Sequence, residues 1–308
     1  MIEYDYLITC AGWEDRFLLA LKNSVDNHTF KKIIILSVKE LAEKNKTNLE
    51  KLREIVHDEN IHEVEISLID DAKTWRKLEQ TFDSLKIKNC DIYLDITTMP
   101  RFLIWFVMHF STHLENKSEV VYYRPNSYEH CDWLTSDAEQ PRLVFKHSGL
   151  FLPDQPTVLI IQTGFDIERV NQLIYSYEPE KVFLGAQVGS QYDNATNNLN
   201  KHKEHLRYQE IEYFEIDAYS HDYGFSAIES IVKKYQGNSN IILASFGPKP
   251  TAVAMFKVNE AYPETGLSYV LVNNYNDCYS HGIDTDNKVL ITEKCWNVKK
   301  LIDTSQPD

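Results

Sequence analysis

The sequence predicts an α/β chain of two tandem domains, each a mostly parallel five-stranded sheet flanked by helices. Three observations carry that expectation. Short apolar runs alternate with amphipathic stretches at helical spacing, such as "EDRFLLALKNSV" and "LAEKNKTNLEKLREIVHD". Runs such as "IIIL" (33–36) and "VLII" (158–161) lack in–out alternation, as strands covered on both faces do. The same series then returns a second time, at offsets of 147 to 153 residues.

The elements follow in order. Strands are expected at 5–10, 32–37, 63–69, 91–95 and 119–124, and again at 157–162, 181–186, 210–216, 240–245 and 268–273. "LITCAGWEDRF" matches "LIIQTGFDIERV", setting Gly12 on Gly164, Trp13 on Phe165, Glu14 on Asp166 and, after a one-residue slip, Arg16 on Arg169. "KKIIILS" matches "EKVFLGA", and "EVEISLID" matches "EIEYFEID". "DIYLDITTMPRFLIWF" matches "NIILASFGPKPTAVAMF", and "EVVYYRPNSYEHC" matches "SYVLVNNYNDC". Strands alternating with helices imply parallel βαβ units with right-handed crossovers. The expectation is therefore two Rossmann-like domains, 1–147 and 157–280, divided at "HSGLFLPDQPT" with its glycine and two prolines. A tail, 281–308, holds "KVLITEKCWNVKKLI", which reads either as a strand plus a short helix or as a segment packing on the halves.

Composition narrows the function classes. The 308 residues are 43% hydrophobic and 25% charged, with a formal net charge of −14. Such acidity argues against duplex nucleic acid held on a broad basic face, and against anionic membranes. "MIEYDYLITCAGWEDR" has no basic signal-peptide start, and no apolar run reaches a membrane-spanning length. Five widely spaced cysteines suit free thiols in a reducing cytoplasm. A cytoplasmic protein is expected, with no cofactor.

In open α/β sheets, ligands bind beyond the carboxyl ends of the strands. After the first strand stand Gly12, Trp13, Glu14 and Arg16; after the fourth, Asp95 gives way to Thr97, Thr98 and Arg101; the fifth ends in Arg124. The second half places Thr163, Gly164, Asp166 and Arg169, then Ser245, Gly247 and Lys249, then Asn273 and Asn274 in the same positions. Five cations at the strand ends of so acidic a chain point to an anion pocket, most simply for phosphate. Ion pairs such as Arg16 with Glu14 are the plain structural alternative. In "SFGPKPT" a glycine admits close backbone approach, and a helix N-terminus presents free N–H groups. In "DITTMPRF", Pro100 suits the first turn of a helix. Capping by Thr and Ser is compatible with either role. Neither a Walker A loop nor a dinucleotide fingerprint is present.

A strand ending in Asp-x-Thr, followed by a polar turn and a basic residue opening a helix, resembles the signature of CRISPR-associated Rossmann-fold (CARF) domains. "DITTMPR" keeps Asp95, Thr97 and the cation Arg101, with Met99 and Pro100 where that signature has glycine. "ASFGPK" keeps Ser245, Gly247 and Lys249, with Ala244 in place of the aspartate. The resemblance implies a pseudo-two-fold intramolecular dimer, similar to the related SAVED sensors. It further implies a nucleotide or cyclic-oligonucleotide ligand, a role in bacterial antiviral defence, and a separate effector protein.

Other readings remain open at this point. Some CARF-like proteins cleave their cyclic ligand, and Thr97, Arg101, Ser245 and Lys249 could position a ribose 2′-hydroxyl against a phosphate. "EHC" (129–131) and "CYSH" (278–281) hold metal-ligand residue types, but at no diagnostic zinc spacing, so no metal is expected. Aromatics such as Tyr122, Tyr128, Tyr275 and Tyr279 could stack bases or anchor a protein partner, with plain core packing the better expectation for Tyr122. That last possibility makes a degenerate scaffold the third reading.

Overall fold

The structure, a computed structural model, describes residues 1–111, 118–128, 135–164, 166–188, 195–206, 210–277 and 279–292. The first half runs β1 (Ile2–Cys10), α1 (Asp15–Asn27), β2 (His28–Val38), α2 (Ala42–Ile55), β3 (Ile61–Ile66), α3 (Asp71–Ser84), β4 (Ile92–Asp95), α4 (Arg101–Ser111), β5 (Ser118–Arg124) and β6 (Ser127–Tyr128). Two short strands follow, β7 (Thr135–Ala138) and β8 (Arg142–Leu143). The second half then runs β9 (Thr157–Gln162), α5 (Ile167–Tyr177), β10 (Lys181–Gln187), α6 (Ala195–His205), β11 (Ile211–Ile216), α7 (Phe225–Tyr235), β12 (Asn240–Ser245), α8 (Lys249–Ala261), β13 (Gly266–Tyr269) and β14 (Val272–Tyr275). The described chain closes with β15 (Ser280–His281) and β16 (Asp284–Thr292).

Two α/β sheets result, and they share one order. In the first, β3-β2-β1-β4-β5 pair in parallel; in the second, β11-β10-β9-β12-β13 do the same. The central strands show why. Leu7 and Ile8 on β1, and Leu159, Ile160 and Ile161 on β9, are fully buried. Only a strand covered by helices on both faces uses such a run.

Each sheet has six strands rather than the expected five. β16 lies beside β5, and β8 runs antiparallel to β13. Two small antiparallel ribbons join β6 to β15 and β7 to β14. The chain accordingly divides into two compact units, Met1–Asp132 with Asn276–Ile291, and Trp133–Tyr275 with Thr292–Asp308. After its fifth strand, each half of the sequence crosses over and supplies a ribbon strand and an edge strand to the other unit.

These placements differ from the expected bounds for identifiable reasons. Segment 147–157 is strapped within the second unit, not a free linker. Val144 N–H donates to Leu267 O at 2.8 Å, Leu267 N–H to His147 O at 2.8 Å, and Leu150 N–H to Glu264 O at 2.9 Å. Its proline and glycine signals mark turns of a bound segment. The expected strand at 268–273 breaks at Val270 and Leu271, where Val270 enters the core and Leu271 O accepts from Glu139 N–H at 2.9 Å. The first part of the tail is the edge strand β16, whereas 293–308 lies outside the described residues.

The helices after the fourth strand in each half are the most enclosed. Phe102 through Met108 on α4 are all buried, as are Pro250 through Phe256 on α8. A helix that is apolar on every side belongs in a core. Arg101 and Lys249 are the first residues of these two helices, both half-buried at their N-termini.

Candidate functional site

In each unit the strand order reverses between the first and fourth strands, β1 and β4 or β9 and β12, which is where open α/β sheets hold ligands. In the first unit the loops beyond these strands meet. A Cβ added at Gly12 would stand 2.9 Å from Thr98 Cβ, so the glycine is required by that approach. Thr98 Oγ1 donates to Cys10 O at 2.6 Å. Asp95 is buried; it accepts from Thr97 N–H at 2.9 Å and from Thr9 Oγ1 at 3.4 Å. Thr97 Oγ1 accepts from Tyr123 N–H at 3.1 Å. The DITT turn thus ties the ends of β1, β4 and β5 together.

Arg16 lies beside this turn and is 5% exposed. Its Nη2 donates to Tyr123 O at 2.5 Å, and its Nη1 reaches Glu14 Oε2 at 3.3 Å and Ser280 Oγ at 3.5 Å. Its guanidinium stands 5.7 Å from the centre of the Tyr122 ring. Arg16 Nε is buried without an acceptor among the described residues. Burial pushes the guanidinium pKa down, but Tyr122, Glu14 and Tyr128 outweigh it and raise the pKa, so the charge is held. Burial and Tyr122 push the Tyr279 hydroxyl pKa up, while the positive fields of Arg101 and Arg16 oppose them. The Tyr128 and Tyr279 rings pack tilted at 52°, with centroids 5.0 Å apart. Three tyrosines therefore gather about Arg16 in the first unit, and Ser280 on β15 is among its partners.

The remaining first-unit residues surround this cluster. Trp13 is half-exposed beneath the Lys44 ammonium, 5.1 Å from the ring centre. Lys44 in turn pairs with Asp277 at 2.6 Å. Glu14 Oε2 also accepts from Ser280 Oγ at 2.9 Å. Arg124 is half-buried at the end of β5, and its field helps to lower the Asp284 pKa, which the hydrogen bonds from Asn287 lower most.

The second unit is tighter. A Cβ on Gly164 would lie 2.6 Å from Phe246 O, and one on Gly247 2.4 Å from Gln162 Nε2. Ser245 Oγ donates to Gln162 Oε1 at 2.7 Å. Thr163 Oγ1 lies 2.5 Å from His202 Nε2, both residues being buried. Asp166 caps α5 by accepting from Arg169 N–H at 3.1 Å, and pairs with Arg169 Nε at 2.5 Å. Thr135 Oγ1 donates to the same carboxylate. The Arg169 guanidinium also stands 4.8 Å from the centre of the Phe246 ring. Asn273 and Asn274 are exposed on β14, and Asn273 Nδ2 donates to Asp137 Oδ2 at 3.0 Å.

The five cations thus fall into two groups, Arg16, Arg101 and Arg124 in the first unit and Arg169 and Lys249 in the second. Several contributors were not singled out in the sequence. Asn48 Nδ2 donates to Gly12 O at 2.8 Å and to Glu14 O at 3.0 Å, while Asn45 Nδ2 donates to Ala11 O at 3.2 Å. Two buried asparagines three apart in a charged helix were the available signal. Gln162, His202, Thr135 and Ser280 carried none, since long-range pairing alone gives them partners. Of the two metal-ligand motifs, Glu129, His130, Cys131 and Cys278 lie outside the described residues. Among the described residues there is no metal-binding cluster, and no helix long and apolar enough to cross a membrane.

No family model matches the chain, and no curated protein does. Among solved structures it is similar to the ketoreductase from the first module of phoslactomycin biosynthesis in Streptomyces sp. HK803. Identity is 12%, the match covers 84% of this chain and 57% of that one, and the TM-score is 0.20. The chain thus spans just over half the length of that neighbour, and a likeness at this score carries no weight for activity. The α/β class rests on the parallel strand order itself.

Proposed function

We propose that the first unit is a binding module for a phosphate-bearing ligand of the nucleotide or cyclic-oligonucleotide class. In this reading the protein is a cytoplasmic sensor in bacterial antiviral defence, passing ligand occupancy to a separate effector protein. The observation that carries the binding role is the gathering of Tyr122, Tyr128 and Tyr279 about Arg16, whose Nε is buried without an acceptor among the described residues, at the strand-order reversal where Arg101 opens α4. Arginine offers phosphate a fixed fork of donors, and tyrosine offers a base a face to stack on. The repeated strand order and the reciprocal exchange of edge strands support a pseudo-two-fold relation between the halves.

A degenerate scaffold is the second reading, favoured by one observation. The hydroxyls of Thr97, Thr98, Thr163 and Ser245 are all engaged inside the protein, as is the Asp166–Arg169 pair. Calorimetry with linear and cyclic nucleotides, followed by chromatography of the mixture, decides among the readings. Saturable binding of an unchanged ligand, weakened about tenfold or more by Arg101→Ala, supports the sensor; tenfold is about 1.4 kcal/mol. Conversion of the ligand would make it a phosphodiesterase. No binding by any nucleotide would leave the scaffold.

A further inference from the structure

A second basic feature lies away from the strand-order reversal. β3 is the edge strand of its sheet, and a cleft of about 360 Å³ opens between its carboxyl end and α3. Lys39, Lys73, Arg76 and Lys77 line it, with Gln80 and a single carboxylate, Glu65. Lys73, Lys77 and Gln80 follow the i, i+4, i+7 spacing of one helix face. All four cations are exposed, and none is held by a salt bridge or side-chain hydrogen bond among the described residues. In a chain of net charge −14 this is a local excess of positive charge, four cations against the single lining carboxylate Glu65.

The lining also says what kind of anion fits. Its two hydroxyls are engaged elsewhere, Thr74 Oγ1 donating to Ser67 O at 2.7 Å and Ser67 Oγ to Glu40 Oε1 at 2.5 Å. Recognition is therefore left to charge and to the Gln80 amide. No aromatic side chain lines the cleft, so it offers no platform for a base. The N-terminus of α3 is not the anion site, because Asp70 already accepts from Lys73 N–H at 2.9 Å. The volume is that of a small-molecule site, not an extended macromolecular surface. Nearby, the His62 imidazole pKa is lowered by burial and then by the charges of Lys32 and Lys77.

We infer that this cleft binds a small, non-aromatic polyanion carrying several phosphate groups, with Lys73, Arg76 and Lys77 as its main contacts. The site is separate from the arginine–tyrosine cluster and stands whether or not that cluster binds a nucleotide.

The probe is sodium tripolyphosphate, titrated calorimetrically into the full chain. One saturable site is expected, weakened about tenfold or more in the double variant Lys73→Ala with Lys77→Ala. Because both side chains are exposed and alanine favours helix, the variant retains its fold. The titration is also run in the Arg101→Ala background, so that only the component lost on adding Lys73→Ala and Lys77→Ala is assigned to the cleft, and Lys22→Ala, on α1, leaves that component unchanged; its failure is thereby separated from failure of the nucleotide reading. The His62 ring resonances move on saturation in the wild type. Equal binding by wild type and double variant overturns the inference. So does displacement by an oligoglutamate peptide as effective as tripolyphosphate itself, which would make the cleft a surface for acidic protein segments.

Discussion

The loops after β1 and β9 are built from matching sequences, "AGWEDR" and "TGFDIER", yet they use their arginines differently. Arg169 is satisfied locally. Its carboxylate partner lies three residues away on the same turn, caps the helix as well, and is held by Thr135. Arg16 is satisfied at long range, by Tyr123 O, 107 residues on, and Ser280 Oγ, 264 residues on. Its near neighbour Glu14 contributes a partly exposed contact at 3.3 Å, longer than the 2.5 Å between Asp166 and Arg169. The one-residue slip between the two loops accounts for the change. Glu14 and Asp166 both stand at N-cap positions, but only Asp166 caps with its side chain, and with its arginine at i+3 the same carboxylate reaches Nε at 2.5 Å, whereas Arg16, at i+2, is met by Glu14 only at 3.3 Å. The second unit has closed its arginine into a structural ion pair. The first keeps an arginine with an unused Nε among tyrosines.

The largest test of that difference is to remove each carboxylate. Asp166→Ala leaves Arg169 buried without its counter-charge and deletes a helix cap, so a loss of about 3–5 kcal/mol is expected from denaturant unfolding. Glu14→Gln removes a carboxylate whose side chain is 26% exposed, and leaves Arg16 its bond to Tyr123 O. That change costs under about 1 kcal/mol. Equal losses would mean that the two arginines are held alike. A smaller effect separates the two glycines. Gly164→Ala meets the backbone oxygen of Phe246 at 2.6 Å and should cost about 1–3 kcal/mol, since overpacking against backbone is not easily relieved. Gly12→Ala meets Thr98 Cβ at 2.9 Å, a longer approach and not to backbone oxygen, so its unfolding midpoint should fall less.

Much of this architecture was legible in the sequence because local pattern determines it. The strands at 157–162 and 240–245 coincide with β9 and β12, and the repeat appears as one strand order used twice. What stayed hidden depends on distant pairing. β6, β8 and β15 are two residues each, too short to carry a period. The edge of each sheet is completed by chain from the other half of the sequence, which no local window contains. The strand-end residues were legible as a set, but their engagement was not. Whether Thr97 faces a ligand or Tyr123 N–H is decided by the register of β4 against β5, and that register is a tertiary fact.

The subtlest test uses pH, because a histidine in each unit has its pKa lowered for a different mixture of reasons. His147 lies on the strapped segment of the second unit, with Nδ1 2.6 Å from Asn259 Oδ1. Asn259 Nδ2 already donates to Thr265 O at 2.7 Å, so its oxygen is the acceptor and the His147 ring carries its proton on Nδ1. Burial pushes the His147 pKa down, against Asn259 and the charge of Glu260. His62 is lowered by burial together with Lys32 and Lys77. Both native states therefore favour the neutral ring, while the unfolded chain takes up protons near pH 6.5. Stability from these residues is fully present above about pH 6.5 and is lost as the pH falls through and below that value. His147→Gln keeps a donor for Asn259 and removes the titration, so the fall in unfolding midpoint on acidification should become shallower. Added salt should shrink the His62 contribution, which lysine charges partly create, and leave that of His147 nearly unchanged, since burial is not screened. If salt flattens the acid slope equally in wild type and His62→Gln, the lysine field is not acting on β3.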